Sequence, residues 1–401
     1  MSRTIDPPWL RAPATRAVIA ALEAAGGPDC ARFVGGCVRD ALLDKTTNDI
    51  DIATTLEPQA VVAALKAASL KAVPTGIAHG TVTAVSQRRP HEVTTLRRDV
   101  STDGRRATVA FTTDWAEDAA RRDFRLNALY AQADGRIHDP TGHGLDDALA
   151  GRIVFVGEPE RRIREDYLRI LRFFRFQAWY GRLEPDADGL AACSALSQGM
   201  AQLSAERVST ELLKLLAAPD PVPAMRAMAQ AGVLARILPE AEALDMFEAM
   251  ARRSADPALR LSALLPADPA LVAAVSTRLR LPNALRDRLA AAGGQPLDAA
   301  MTDREGRAAL YRLGRQAFSD RLMRAAAHDP ETDPARLLAL ADTWTPPRLP
   351  VGGRDLAALG LEPGPETGRI LSAFEAGWIA DDFPETGHRE RLAALVSGQR
   401  G

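Results

Sequence analysis

Asp49 and Asp51 stand two apart in a run that alternates Asp-Ile-Asp-Ile. Period-two alternation belongs to a strand, so Asp49–Ala53 is expected to turn both carboxylates to one face and Ile50 and Ile52 into a core. Two carboxylates side by side suit Mg²⁺, a hard cation that takes oxygen ligands and shares them with substrate phosphates. Upstream, a short strand beginning at Phe33 ends in Gly35 and Gly36. That backbone is bare enough for phosphate oxygens to approach, and the free N–H groups of the helix that follows aim at them. Arg39, in the first turn of that helix, offers a guanidinium able to fork onto a phosphate. A lone glycine pair is also a turn, and a lone DxD is also a solvated pair; it is their combination within Phe33–Thr54 that points to phosphate chemistry.

Three further stretches carry candidates. Glu92, in the strand expected at His91–Leu96, would bring a third carboxylate beside the aspartates, to hold metal or take a proton. The bland alternative is a glutamate on a strand surface. Arg122 and Asp123 are expected to open a helix with Phe124 and Leu126 on its apolar face, and the adjacent Arg121 and Arg122 suit triphosphate or ribose contacts. Arg164–Trp179 reads as one helix, with Leu168, Leu171 and Phe174 as its apolar ridge and Glu165, Asp166, Arg169, Arg172 and Arg175 winding round the other side. Asp166 and Arg169 are expected to be neighbours one turn apart. A solvated helix laced with ion pairs is the ordinary reading of such a run.

The elements that must position these residues are legible in outline. A helix over 14–25 ends at Gly26 and Gly27, and Pro58 starts another with Val61, Val62, Leu65 and Leu70 on its buried side. Strands are expected at Gly80–Ser86 and His91–Leu96, joined by a turn at Arg88–Pro90. Asp99–Asp114 is polar and glycine-bearing, and is expected to be a mobile loop feeding a strand. His138 to Gly151 is the turn-rich exit from this head. From about Asp166 onward Ala- and Leu-rich helical periods dominate. Leu203–Leu216 has the look of a capping box at Ser204, Pro219–Pro223 reads as a linker, and Pro350–Leu371 as two glycine turns flanking a short helix.

Composition narrows the class. At 401 residues two to four domains are expected. Lys+Arg 50 against Asp+Glu 52 leaves no global basic signal, so any nucleic-acid binding must come from a local patch. Cys30, Cys37 and Cys193 lack metal-site spacing and cannot all pair, which suits a reducing cytosol. His79 has no second histidine spaced to make a metal site, and the isolated pair His328–Asp329 lacks the partners of a phosphohydrolase. No apolar signal core or membrane-length span is present, so a soluble cytoplasmic protein without membrane or DNA partners is expected.

The Phe33–Thr54 pattern resembles the active-site signature of the nucleotidyltransferase superfamily that includes DNA polymerase beta. The string GGCVRDALLDKTTNDIDIAT looks like the first motif of the family of class II tRNA nucleotidyltransferases and bacterial poly(A) polymerases. RRDFRLNA resembles that family's second motif, with Arg125 where Thr is usual, and EDYLRILRFFR its nucleotide-selecting motif EDxxR. GIAHGTVTAV looks like the CCA-adding version, and Asp99–Asp114 like the flexible loop needed to pass from adding C to adding A. The resemblance implies an α+β fold: a polymerase-beta-like α/β head (1–150) followed by an elongated, all-helical neck (151–218), body (219–340) and tRNA-binding tail (341–401).

It also implies template-independent addition of C, C and A to tRNA 3′ ends from CTP and ATP, with Mg²⁺ as cofactor. Asp49 and Asp51 become catalytic metal ligands with Glu92 beside them. Gly35, Gly36, Arg39, Arg122, Asp123, Glu165, Asp166, Arg169, Arg172 and Arg175 become nucleotide-binding. Asp166 and Arg169 would read the base, since a carboxylate accepts from an exocyclic amine and a guanidinium donates to the acceptor beside it. Cytosine and adenine present that pattern; uracil and guanine leave buried groups unpaired. Glu206 and Arg207 are implied to brace the neck. Poly(A) polymerase, a CC-adding enzyme and an inactive RNA-binding homologue remain the alternatives.

Overall fold

The computed structural model describes residues 3–47, 49–103, 106–241 and 244–398, with side chains except those of 99–109. The chain folds as two compact units, Met1–Pro239 and Glu240–Gly401.

The first unit opens with α1 (Pro8–Arg11) and α2 (Pro13–Gly26), the latter started by a proline, whose missing N–H costs nothing in the first turn. Then come β1 (Ala31–Val34), α3 (Gly36–Leu42), β2 (Asp51–Thr54), α4 (Pro58–Ala67), β3 (Lys71–Gly76), β4 (Thr81–Ser86) and β5 (Arg89–Thr95). With the later pair β8 (Tyr130–Ala131) and β9 (Ile137–His138) they form a mixed seven-stranded sheet, ordered β3-β4-β5-β2-β1-β8-β9. Among the described residues only β2 and β5 run parallel, an arrangement that requires the crossover through α4.

Phe33, Ile52, Val93 and Val82 lie in register across four strands, each at most 1% exposed. They face the side covered by α2 and α4, as the contact of Thr15 Oγ1 on α2 with His91 Nε2 on β5 fixes. Residues one step along, Asp51 and Glu92, therefore point to the opposite face. On α4, Val61 and Leu65 are buried as the spacing predicts, whereas Val62 and Leu70 are half-buried.

Three local expectations are corrected. The β4–β5 turn falls at Gln87 and Arg88, both at positive φ (50° and 65°), so β5 starts at Arg89 rather than His91. Such a two-residue turn matches the twist of the strands it joins. Asp99–Asp114 is no loop: β6 (Arg97–Asp103) and β7 (Arg106–Phe111) pair as an antiparallel hairpin that satisfies the backbone of this polar sequence; Gly104 and Arg105 are outside the described residues. Arg122 and Asp123 do not open a helix. They follow α5 (Trp115–Ala120) and precede a single 3-10 turn, Arg125–Asn127, although Phe124 and Leu126 are buried as expected.

Beyond α6 (Gly144–Ala150) the unit is helical: α7 (Pro159–Glu165), α8 (Leu168–Tyr180), α9 (Ala187–Ala195), α10 (Ala205–Leu216), α11 (Val222–Gln230) and α12 (Leu234–Ile237). Phe124, Phe155, Phe173 and Phe176 interlock between head and α8, with ring centroids 4.8–6.3 Å apart. Ser204 holds the N-cap position of α10 but makes no side-chain cap bond, so the capping box is absent. Among its described residues the second unit has helices as its only regular elements. Its apolar clusters centre on Leu310, Phe318, Leu322 and Leu337, and on Leu356, Ile370, Phe374 and Trp378. The short helix expected between glycine turns is Gly353–Ala358, and residue 340 falls inside the helix Ala335–Thr343.

Candidate active site

Asp51 opens β2 and stands opposite Glu92 of β5 in parallel register. Both side chains thus leave the sheet side by side on the face away from α2. Asp49 lies before the strand and is exposed, a correction to the expected strand Asp49–Ala53: pairing with β1 reaches back only to Ile52, and with β5 only to Asp51. Burial, with the charge of Glu92 next, pushes Asp51 up to about 6, against the pull of Arg122. A half-buried carboxylate crowded by two others is short of positive charge.

Behind it, β1 runs into α3 through Gly35, whose φ of 70° is a left-handed conformation suited to glycine. Arg122 Nη1 lies beside this glycine, 3.4 Å from where a Cβ would stand. Cys37 is wholly buried beneath the strand, its Sγ 3.4 Å from the Val34 carbonyl and 3.7 Å from that of Asp51. Burial pushes its thiol up to about 12, leaving it inert.

Arg122 is held by a residue the sequence reading passed over. Asp118 on α5 accepts from Arg121 Nε (2.8 Å), Arg122 Nη2 (3.0 Å) and the Tyr130 hydroxyl (2.7 Å). Burial opposes its charge, but Arg122 and Arg121 overcome that and hold it down at about 2. Spacings of three and four along DAARR were the available signal. Arg121 is therefore engaged by Asp118, and Arg122 is the guanidinium near Gly35 and Asp51.

Arg39 is 6% exposed and does not face solvent. Its Nη1 donates to Asn127 Oδ1 (2.5 Å), its Nη2 to the Tyr180 hydroxyl (2.7 Å), and its guanidinium lies 4.0 Å from the centroid of the Tyr180 ring. Asn127 Nδ2 in turn donates to Asp123 Oδ1 (3.0 Å), and Arg172 Nε to Asp123 Oδ2 (2.8 Å). Burial works against the Asp123 charge, yet Arg172 and then Asn127 hold it down at about 2.

The expected single helix Arg164–Trp179 is broken. α7 ends at Glu165, Asp166 is extended (φ −158°), and α8 begins at Leu168. The Arg169 backbone N–H still donates to the Asp166 carbonyl (3.0 Å), but the two side chains go to other partners. Asp166 Oδ2 instead accepts from Arg207 Nη2 (2.6 Å), while its Oδ1 accepts from the Leu168 backbone N–H (3.1 Å). Arg169 donates to Glu165 Oε2 (2.6 Å) and to the carbonyls of Arg162 (2.8 Å) and Arg121 (3.1 Å). Arg175 is taken up by Glu211 of α10 (2.5 Å). Leu168, Leu171 and Phe174 form the buried ridge as expected.

Among the described residues no three or more His, Cys, Asp or Glu gather closely enough to hold an ion unaided. Two carboxylates, with phosphate oxygens and water completing the shell, are nonetheless a donor set that Mg²⁺ accepts, and the raised Asp51 fits a site that wants a cation.

The chain is similar to known proteins over most of its length. The family model described as the poly A polymerase head domain matches residues 31–154, and that described as a probable RNA and SrmB-binding site of polymerase A matches 182–244. The CCA-adding enzyme of Levilactobacillus brevis is 32% identical over 398 residues, 95% of this chain and 96% of that protein. The mitochondrial CCA tRNA nucleotidyltransferase 1 of Danio rerio is 44% identical over 191 residues, a match that spans 46% of this chain and only 43% of that one. The crystal structure of the Bacillus stearothermophilus CCA-adding enzyme in complex with CTP superposes with a TM-score of 0.76 at 27% identity, covering 98% of both chains.

Proposed function

The chain belongs to the family of CCA-adding enzymes, and we propose that it adds C, C and A to the 3′ end of tRNA from CTP and ATP without a template. The observation that carries this is the parallel register of Asp51 with Glu92, beside the glycine turn at Gly35 and the guanidinium of Arg122.

In this reading Asp49 and Asp51 hold Mg²⁺, and Glu92 adds negative charge beside them. A cation held there would lower the pKa of the 3′-hydroxyl and offset charge on the α-phosphate, which the hydroxyl attacks as pyrophosphate leaves. Gly35 and Gly36 give the triphosphate close approach to backbone N–H groups, and Arg122, oriented by Asp118, pairs with its oxygens. Asp166 and Arg169 read the base edge. Their orientations are supported by Arg207 and Glu165, so the acceptor and donor are fixed before nucleotide arrives. Asp123, Arg172 and Arg175, each engaged by a protein partner, shape the nucleotide pocket from behind.

Residues 182–244, matched by the RNA-binding model, and the helical second unit are the surfaces we assign to tRNA. They hold it largely by shape and backbone. No helix among the described residues is long and apolar enough to cross a membrane. The three buried free thiols suit a reducing compartment, and we assign the enzyme to the cytoplasm.

The test is the double variant Asp49→Asn with Asp51→Asn. It should bind tRNA as the native protein does and add no nucleotide; full addition by this variant would refute the assignment of the metal site.

A further inference from the structure

Arg39, Asn127, Asp123 and Arg172 form one unbroken hydrogen-bonded chain that crosses from the helix behind the glycine turn to the helix carrying Arg169. Three of its members are buried: Arg39 is 6%, Asn127 7% and Asp123 9% exposed. Asn127 is its joint. One amide accepts from a cation through Oδ1 and donates to an anion through Nδ2, and the Arg125–Asn127 turn sets it between the two. A charged side chain cannot do both: a carboxylate has no donor, and an ammonium or guanidinium has no acceptor.

We infer that Asn127 is a positioning residue for nucleotide selection, fixing α8 against the glycine turn that follows β1. The inference rests on the proposed function and deepens it.

Four features carry the inference. Asp123 has both oxygens committed: Oδ1 to Asn127 and to the Phe124 backbone N–H (2.8 Å), Oδ2 to Arg172. It therefore works through Arg172 rather than as a free acceptor. Arg39 is fastened at its other end to Tyr180, the last residue of α8, so the helix is tied at two points, Arg172 and Tyr180, more than two turns apart. Between those ties Phe176 lies 5.3 Å from both the Arg39 and the Arg172 guanidinium carbons, so the arginines flank one ring. Finally, Arg169 lies one turn before Arg172 on the same helix, and its guanidinium reaches the Arg121 carbonyl, two residues from Asp123. A shift of α8 relative to the glycine turn moves the proposed base reader relative to the proposed triphosphate seat. Asn127 is where that shift is resisted.

Replacing Asn127 by the near-isosteric Leu leaves the Arg39 and Asp123 groups without their shared partner in a buried place. The expected result is a drop of about tenfold or more in the ratio of kcat/KM for CTP over UTP, with the KM for CTP raised. Leu126→Ala is the control: Leu126 is 1% exposed in the same turn but outside the chain, so its loss lowers stability and active fraction without changing the ratio. Should Asn127→Leu not fold, Arg39→Lys is substituted, because an ammonium keeps the charge but cannot span Asn127 and Tyr180 together. A CTP-to-UTP ratio unchanged from wild type in the folded variant, or moved no further than in Leu126→Ala, overturns the inference. Direct titration of wild type and variant with CTP and UTP keeps the two readings apart. A wild type that discriminates the nucleotides but adds none defeats the proposed function alone. A catalytically active variant with wild-type discrimination defeats this inference alone.

Discussion

The carboxylate of Asp166 meets Arg207 of α10 at 2.6 Å, not Arg169 three positions further on. Each member of the proposed base-reading pair is therefore oriented by its own counter-charge, Asp166 by Arg207 and Arg169 by Glu165. That arrangement fixes each side chain independently, so neither depends on the other for its orientation. It also gives Arg207, expected only to brace the neck, a direct hand on the acceptor.

Arg207→Ala should accordingly loosen base choice more than it slows addition. Loss of the guanidinium frees Asp166 to rotate, and single-nucleotide kinetics should register a fall of about tenfold in kcat/KM for CTP relative to UTP, equivalent to about 1.4 kcal/mol. An unaltered ratio would mean that Asp166 keeps its orientation through the Leu168 backbone bond alone.

Asp51 carries a pH signature of opposite sign to most carboxylates. Its pKa is raised to about 6 in the fold, from the ordinary carboxyl value of 3.8. Its contribution to stability is thus fully present below pH 3.8 and lost as pH rises through about 6. Metal-free Asp51→Asn should be more stable than wild type at pH 8, by roughly 1–3 kcal/mol, and no more stable at pH 3.5. Thermal melts in chelator across that range measure it. Millimolar Mg²⁺ should narrow the gap at pH 8 by stabilising the wild type.

Asp118 behaves the other way. Arg122 and Arg121 overcome the burial that opposes its charge and depress its pKa to about 2, so its stabilisation is present above pH 3.8 and lost as pH falls through 2. Asp118→Asn leaves two guanidiniums without their buried counter-charge. It should destabilise the first unit by about 3–5 kcal/mol and flatten the acid limb of the stability profile between pH 4 and 2. Because Arg122 loses its orienter, the KM for nucleotide should rise among molecules that remain folded.

Phe124, fully buried, is packed against Phe155, Phe173 and Phe176 where head and α8 meet. Phe124→Ala should cost about 3–5 kcal/mol in denaturant unfolding. Phe124→Leu should cost less, since it leaves a smaller cavity.

What the sequence disclosed followed from short-range regularity. The Asp-Ile-Asp-Ile alternation places Ile52 in the core and Asp51 on the opposite face, the glycine pair marks the turn into α3, and the ridge of Leu168, Leu171 and Phe174 is buried. What it concealed depends on partners distant in the chain. Nothing near Arg39 announces that Asn127 and Tyr180 will engulf it, so a phosphate-ready guanidinium was the natural expectation. The break at Asp166 was hidden because the charge spacing alone fits an unbroken helix; the extended backbone there is accompanied by the pairing with Arg207 on α10. Asp99–Asp114 reads as a loop because it is polar and glycine-bearing, whereas the backbones of β6 and β7 pair with each other there. Asp118 was readable in principle, three and four residues before two arginines, yet such spacing is common on solvated helices.

The most direct measurement uses a tRNA transcript lacking its 3′ CCA, incubated with Mg²⁺ and CTP, ATP, UTP or GTP singly and in mixture, the products sized to one nucleotide. Two residues should be added with CTP alone, a third only when ATP is present, and none with UTP or GTP. A ladder of A residues, a stop after two with both nucleotides supplied, or no extension of a transcript that remains bound would each contradict CCA addition.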